Sequence, residues 1–449
     1  MTPGESGSPM ARRQLSGPTA YIRYGRHPEP ALAQNVAPRY PEAMDMHTEP
    51  GPIQPAIETE AWPRWLPRLL GYFIAVGPAA TDMYLPAFPS VEATFHTAPG
   101  TAQLTLAAWF AGLAVGQIMQ GTLSDRLGRR RPLAVGFTIF SLAMVGGALA
   151  PNLEVLAVLR FIGAIGASAG MVISRAVVRD LAEGERGAIL MSRLVLVMGV
   201  APILAPSVGA AFLSFANWRF IFWFQALYGA SCALLAWRIL PETLPESRRI
   251  KTGVAQIITR YGTILREPVF RAHAIMGGAA TFCMFAYLGG SSPVFIQGFG
   301  LTPSEFGLIF GLCSCGLIAG SQINARLLPR FGLSFMLRFI CRVSLAATTV
   351  LLVLSFAGVH VLWMIVAPVF LALSCQGFSN GNVTAGALGR HAAHAGSAAA
   401  LMGVGQFALG ATSGLLVGLL TDGTPRGMAS LMFAGSLCAV IADLWRPRG

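Results

Sequence analysis

The sequence predicts an all-α membrane protein with twelve transmembrane helices in two six-helix halves, and three observations lead to this prediction. Of the 449 residues, 54% are hydrophobic and only 12% are charged, whereas soluble domains contain about 25% charged residues. The mean hydropathy is +0.59. Apolar runs of about 20 residues, the length that spans the hydrocarbon of a bilayer, recur along the chain.

These runs divide the chain into segments. Residues 1–62 are rich in Pro, Arg, Glu and Gly without an apolar period, so we expect a disordered cytoplasmic extension. Residues 63–240 are predicted to form one six-helix half, 241–268 a polar cytoplasmic linker, and 269–449 the second half. The twelve spans are expected near 68–88, 103–121, 132–150, 153–177, 189–214, 218–240, 270–296, 304–327, 333–357, 360–388, 396–420 and 427–445.

The formal net charge of +12 is placed in alternate connections. Arginines fill the connection 126–131, and cationic residues recur in the 241–268 link, whereas 89–101 and 298–303 contain no Lys or Arg. This distribution follows the positive-inside rule for a multi-pass protein with both termini cytoplasmic. We therefore expect the lipid bilayer of the bacterial inner membrane as the environment, and we do not expect nucleic acid as a partner.

Two charged residues lie inside predicted spans. Asp82 and Arg160 are each about seven residues from a span end, which is about 10 Å of helix. A charge in hydrocarbon costs several kcal/mol and marks a candidate functional site. Because the two spans run in opposite directions, the charges are expected at similar depth. We predict that Asp82 binds a proton and that a neighbouring Arg160 regulates it; the alternative for Arg160 is a structural bond to carbonyls freed near Gly163 and Gly166.

The connection between spans 2 and 3 is the strongest local pattern. Gly121 is expected to permit close backbone approach and Gly128 a positive φ. Asp125 is expected to pair with nearby arginines or to face a helix N-terminus of the other half. A charged turn set by topology alone is the alternative. The full segment is Gly121-Thr-Leu-Ser-Asp125-Arg126-Leu-Gly128-Arg129-Arg130-Arg131-Pro132. It resembles the signature loop of the major facilitator superfamily, which implies a gating role for Gly121, Asp125, Arg126, Gly128 and Arg129.

Three further segments resemble the Bcr/CflA drug-resistance transporters of that superfamily, over about residues 65–446. They are Pro78-Ala-Ala-Thr-Asp82-Met-Tyr-Leu-Pro86-Ala-Phe-Pro89 in helix 1, Leu159-Arg160-Phe-Ile-Gly163 in helix 4 and Ala201-Pro202-Ile-Leu-Ala205-Pro206-Ser-Val-Gly209 in helix 5. The resemblance implies the major facilitator fold and the export of drugs in exchange for protons. The chain departs from the pattern at Asn324, where the echo of the signature loop usually has an acid, and at Ala201 and Ala210, where glycines are usual.

The helix 5 segment also has a physical interpretation. Pro202 and Pro206 each remove a backbone donor and loosen the helix. Small residues such as Gly209 allow close packing against a neighbouring helix. In the family this bend is thought to close leak paths between the halves. An ordinary proline-bearing membrane helix is the alternative.

Polar and aromatic residues inside the spans suggest a substrate cavity, with Tyr84, Gln117, Gln225, Phe285 and Gln376 as its candidate lining. Interhelical hydrogen bonds and ordinary packing are the alternatives. No nucleotide-binding loop or metal-ligand spacing occurs, so we expect no cofactor, no metal and no enzyme activity. We predict a monomer that exports amphipathic small-molecule drugs by proton-coupled alternating access. The alternatives are a proton-coupled symporter or facilitator for a metabolite and, more remotely, a polytopic membrane enzyme or scaffold.

Overall fold

The computed structural model describes residues 63, 65–181, 184–249, 254–389 and 395–447, and these residues form helices and turns without a strand. The predicted disordered segment 1–62 lies outside the described residues. The helices are α1 (Leu66–Ile74), α2 (Val76–Asp82), α3 (Phe88–Phe95), α4 (Gln103–Leu127), α5 (Arg130–Ala148), α6 (Leu153–Leu181), α7 (Gly184–Phe215), α8 (Arg219–Arg238), α9 (Val254–Arg266), α10 (Pro268–Ser292), α11 (Pro303–Phe356), α12 (Leu362–Leu388), α13 (Ala395–Leu420) and α14 (Arg426–Trp445).

The first span is broken into α1, α2 and α3, with a 3₁₀ turn at Leu85–Ala87 before α3. Pro86 and Pro89 carry no N–H, so neither can donate the helical hydrogen bond to the residue four positions before it. The backbone N–H of Met83 still donates to the Ala79 carbonyl, four residues earlier, at 3.3 Å. The next described backbone bond, from Ala87 to Tyr84 at 3.0 Å, spans only three residues. The break therefore leaves the carbonyl of Ala80 outside the backbone ladder.

Ten of the described helices are long and apolar enough to cross a membrane. One of them, α11, is 54 residues long and contains two spans, since Gly332 interrupts it with φ 74° and ψ 160° shortly after Pro329. With that division and the broken first span, the described chain contains twelve spans. The predicted all-α fold class is confirmed, and the observed spans lie close to the predicted ones.

The segment predicted as a polar linker contains a helix that we did not predict. Helix α9 covers Val254–Arg266, inside the 241–268 link. Apolar residues recur along it at helical spacing, and Ile264 is buried beside Phe270 and Met276 of α10. An amphipathic helix too short to span a bilayer has few apolar residues, so its period is easily missed among the charges.

The bundle has two ends, which we name after a buried residue at each. The Glu92 end carries the connections that follow α3, α5, α7 and α13, and the Arg129 end carries those that follow α4, α6 and α8. Two seams join the first six spans to the last six: α4 packs against α13, and α7 packs against α11. All seven cysteines lie within helices and are free thiols.

Candidate functional site

Asp82 is the last residue of α2, at the break in the first span, and its side chain is only 4% exposed. The carbonyl of the next residue, Met83, lies directly against α7, where a Cβ added to Gly209 would overlap the Met83 oxygen. The turn Leu85–Ala87 also contacts α10 and α11. The break therefore places Asp82 where helices from both groups of six spans meet.

The Arg160 side chain is completely buried in α6 among aromatic rings. Its guanidinium carbon lies 4.6 Å from the ring centroid of Tyr84, 4.6 Å from that of Trp109 and 6.0 Å from that of Phe222. A cation over aromatic faces is stabilised by the ring quadrupoles. Nη1 donates a hydrogen bond of 2.9 Å to the carbonyl oxygen of Ala80, which the break has released from the backbone ladder.

Arg160 does not form a direct ion pair with Asp82, since no ion pair within 4.0 Å joins them in the described chain. Arg160 instead binds the backbone two residues before Asp82, at the C-terminal end of α2. That end carries a partial negative charge from the helix dipole, which favours a cation. Arg160 therefore bonds a freed backbone carbonyl, as the structural alternative proposed. That carbonyl belongs to Ala80 and not to the turn near Gly163 and Gly166.

The signature loop folds around a positive-φ glycine, as predicted. Gly128 has φ 88° and ψ 174°, a conformation available almost only to glycine. A Cβ at this position would also overlap the carboxylate of Glu242, which accepts hydrogen bonds from the backbone N–H of Arg129 at 2.7 Å and of Arg130 at 3.3 Å. Glu242 thus connects the exit of α8 to the turn between α4 and α5.

Arg129 is the centre of the loop, and its side chain is only 7% exposed. Nη1 donates to Asp125 at 2.6 Å and to Ser124 at 3.0 Å, while Nε and Nη2 donate to Asp180 at 2.8 and 3.2 Å. Burial alone would lower the pKa of Arg129, but the hydrogen bonds and charges of Asp180 and Asp125 raise it overall. The predicted pairing of Asp125 with an arginine is confirmed, and the network ties α4, α5 and α6 together.

The prediction for Gly121 is wrong, because a Cβ there would meet its nearest neighbour, Val172, at 4.0 Å, an ordinary contact. The close approach expected at Gly121 occurs instead earlier in the same helix, at Gly112 and Gly116, which face α6. Arg126 is exposed in the last turn of α4. Of the five signature residues, Asp125, Gly128 and Arg129 therefore form the network with Asp180 and Glu242.

Pro202, Pro206 and Gly209 lie on α7 in two different contacts. Gly209 faces the broken first span, as described above. Pro206 has no N–H for the carbonyl of Pro202, and the hydroxyl of Ser314 on α11 approaches that carbonyl at 3.5 Å. Further along the seam, a Cβ on Gly307 would lie 3.2 Å from Ser207. The close helix packing predicted for this segment is confirmed, against the first span and against α11.

The five candidate cavity residues do not line one pocket. Tyr84 and Gln225 are fully buried within the first six spans, and the hydroxyl of Thr105 donates to the Tyr84 hydroxyl at 3.1 Å. Gln117 faces Gly403 across the seam between α4 and α13. Phe285 stacks on Phe110 with centroids 3.9 Å apart. Gln376 lines a separate cavity of about 10 Å³ among α10, α11, α12 and α14, room for about one water molecule.

Sequence reasoning missed the residues that close the Glu92 end. The buried carboxylate of Glu92 accepts hydrogen bonds from the backbone N–H of Gly100 at 2.8 Å and of Ala102 at 3.1 Å, and from Gln297 after α10 at 3.0 Å. Gln103 Nε2 donates to the carbonyl of Gly289 at 3.1 Å. The acid eleven residues before Gln103, the first residue of α4, was an available signal, because a helix N-terminus attracts a carboxylate.

The Major Facilitator Superfamily family model matches residues 69–443. The chain belongs to this superfamily. Members are transporters, so the helices described above are those of a membrane transporter. The uncharacterized MFS-type transporter YdgK of Bacillus subtilis is 34% identical over 379 residues, covering 84% of this chain and 93% of the relative. The bicyclomycin resistance protein homolog of Haemophilus influenzae is 28% identical over 380 residues, covering 84% and 93%.

The fold of the superfamily is also seen in solved structures. The crystal structure of a D-xylose–proton symporter superposes with a TM-score of 0.67 and 16% identity, covering 85% of this chain and 95% of that chain. The second half retains part of the signature loop. Asn324 occupies the position of Asp125, and the Asn324 and Asn382 amides exchange hydrogen bonds of 3.0 and 2.8 Å. Gly332, like Gly128, has a positive φ.

Proposed function

We propose that this superfamily member exports amphipathic small-molecule drugs from the cytoplasm in exchange for protons, as a monomer in the bacterial inner membrane. The two halves, residues 63–240 and 269–449, rock about a central site while the linker 241–268 remains on the cytoplasmic side. The positive-inside distribution supports placing the Arg129 end and both termini in the cytoplasm.

The observation that carries the proposal is the environment of Asp82. Its carboxyl is buried at a helix break, without an ion-pair partner in the described chain. A carboxyl in such a place is more stable protonated than charged, because burial disfavours the charge. When rocking of the halves opens this region to water, the carboxyl can ionise. Asp82 is thus suited to carry one proton per transport cycle.

The contacts between the halves support alternating access. The Glu92–Gln297 and Gln103–Gly289 bonds and the Phe110–Phe285 stack join them at the Glu92 end. Closure at this end is expected of an inward-facing state. The Arg129 network, in contrast, joins elements of the first half to one another.

Two observations favour drugs as substrates. Aromatic side chains such as Phe110, Phe285 and Phe407 stack where α4, α10 and α13 meet, with centroids 3.9 to 6.5 Å apart. Such surfaces suit apolar, ring-containing compounds. The named relative from Haemophilus influenzae is a bicyclomycin resistance protein homolog, which is consistent with antibiotic export.

The test is a panel of antibiotic susceptibilities in a pump-deleted host expressing wild type, Asp82→Asn or the control Asp422→Asn. Asp422 lies in the loop before α14, where its carboxylate accepts from Thr424. Wild type and Asp422→Asn are expected to raise the inhibitory concentration of at least one amphipathic drug, and Asp82→Asn to abolish the increase. Uptake of a metabolite without any resistance would instead favour the symporter.

A further inference from the structure

One buried hydroxyl close to Asp82 has no oxygen or nitrogen partner in the described part of the chain, and it pairs only weakly with the thiol of Cys313. Tyr287 on α10 is 2% exposed, and its hydroxyl oxygen is fully enclosed. Its ring stacks on Phe310 of α11 with centroids 5.4 Å apart and planes 26° apart. A buried hydroxyl whose only partner is a weak thiol is costly, and it leaves room for a stronger partner in another state.

The surroundings of this hydroxyl identify the partner. The Cys313 thiol is its weak hydrogen-bond partner, and the Asp82 carboxyl lies within electrostatic range of it. The turn Leu85–Ala87, which follows Asp82, packs on both α10 and α11, so the first span is held against Tyr287. Arg160, on α6, also reaches this region through its bond to Ala80, and it is directed at the backbone instead of the carboxyl.

We propose that Tyr287 is the hydrogen-bond donor to the ionised Asp82 carboxylate across the interface between the two halves. This inference rests on the proposed proton exchange at Asp82. A hydrogen bond to a charged acceptor is about twice as strong as one between neutral groups. Loss of the proton from Asp82 therefore strengthens the link between the first span and α10, and uptake of a proton weakens it.

The link couples two equilibria. The bond forms only when Asp82 is charged and the halves are closed around it. Ionisation of Asp82 therefore favours the closed state, and closure favours ionisation by the same factor. Tyr287 then acts as a positioning residue that makes the closure of the halves sensitive to the proton. Cys313, in the next turn from Phe310 on α11, is a weak donor and is not expected to replace the hydroxyl.

Drug-induced proton release from purified protein, measured across pH, tests the proposal with Tyr287→Phe. This change keeps the ring stacked on Phe310 and removes only the hydroxyl. The midpoint of the release profile is expected to rise by about one to two pH units, the shift that corresponds to one lost hydrogen bond to a carboxylate. The control Tyr72→Phe removes a hydroxyl that binds Ser231 at 2.8 Å, and it is expected to leave the midpoint unchanged.

The outcomes separate this inference from the proposed function. If Asp82→Asn abolishes proton release while Tyr287→Phe matches wild type, Tyr287 is not the partner although the proton exchange stands. If Asp82→Asn releases as many protons as wild type, the proposed exchange itself is wrong. A shift in Cys313→Ala without one in Tyr287→Phe would assign the role to the thiol.

A second measurement does not depend on the folding of Tyr287→Phe, because it does not use that variant. Infrared difference spectra of wild type between acid and alkaline pH contain a carboxyl band, which Asp82→Asn assigns. A tyrosine C–O band that changes together with it is expected. A spectrum in which the Asp82 band changes without any tyrosine band would overturn the proposal.

Discussion

Arg160 donates a hydrogen bond from Nη1 to the carbonyl oxygen of Ala80, two residues before Asp82, at a distance of 2.9 Å. The carbonyl is available because the first span is broken between α2 and the turn at Leu85–Ala87. Arg160 therefore acts on Asp82 through the geometry of a helix end. The buried guanidinium stabilises the conformation that places the carboxyl between the halves.

Replacement of Arg160 tests this relationship. Arg160→Ala removes the bond to Ala80 and the stack on two rings, and it is expected to reduce drug efflux at least tenfold. It should also move the pH profile of transport upward, because loss of a nearby cation disfavours the charged carboxylate. Arg160→Lys can still donate to the carbonyl and is expected to be intermediate. Efflux rates in proteoliposomes across pH provide the measurement, and equal rates for Ala and Lys would contradict the role of the hydrogen bond.

Gly128→Ala is expected to destabilise the protein, whereas Gly121→Ala, in the same loop, is a matched control. Gly128 requires a backbone conformation that costs other residues about 1–3 kcal/mol, and its Cβ would displace Glu242. Gly121 is helical and has 4.0 Å of space around an added Cβ. Thermal unfolding in detergent should show a lower Tm for Gly128→Ala alone. An equal loss of Tm in both variants would contradict the role assigned to the backbone conformation of Gly128.

Asp125 and Asp180 share Arg129, but they are expected to differ in effect. The Asp125 side chain is 45% exposed and that of Asp180 is 15% exposed. An exposed pair contributes about 0–1 kcal/mol, so Asp125→Asn should fold normally. If Asp125 biases the balance between the two access states, this variant cripples transport and keeps drug binding. Asp180→Asn should instead lower the free energy of unfolding. Drug binding and transport are measured on purified protein. If a folded Asp125→Asn loses drug binding together with transport, Asp125 does not act as a gate.

The sequence predicted those features that depend on local pattern. Hydropathy located the twelve spans, whereas the break in the first span beside Asp82 was not predicted. The depth of Arg160 followed from the rise per residue, but the rotation of its side chain about the helix axis did not, so its true acceptor, Ala80, was not foreseen. Tyr287 was not among the predicted site residues, since its neighbour Asp82 is about two hundred residues earlier in the chain. Contacts between distant helices leave no periodic signal in either one.

Topology can be tested directly by reporter fusions. A fusion after Leu240, at the exit of α8, is expected to report the cytoplasm, because the arginine-rich connection 126–131 lies at the same end. A fusion after Gly358, at the end of α11, should report the periplasm. Paired phosphatase and fluorescent-protein reporters measure both. If each fusion reports the opposite compartment, the proposed membrane orientation of every helix is inverted, and the closed Glu92 end faces the cytoplasm.

Gly209→Ala should affect both stability and coupling, because no methyl group fits between α7 and the first span. The added Cβ would overlap the Met83 oxygen, and backbone cannot yield as a flexible side chain does. Overpacking of this kind costs about 1–3 kcal/mol, and relief by moving the first span would also shift Asp82. We expect a lower Tm together with a changed pH profile of drug-induced proton release. Gly199→Ala is the control on the same helix, since its Cβ would meet only the Ile318 side chain at 3.3 Å, which can rotate away. If both variants lose Tm equally and retain the wild-type pH profile, the contact with Met83 has no part in placing Asp82, and α7 serves only as packing.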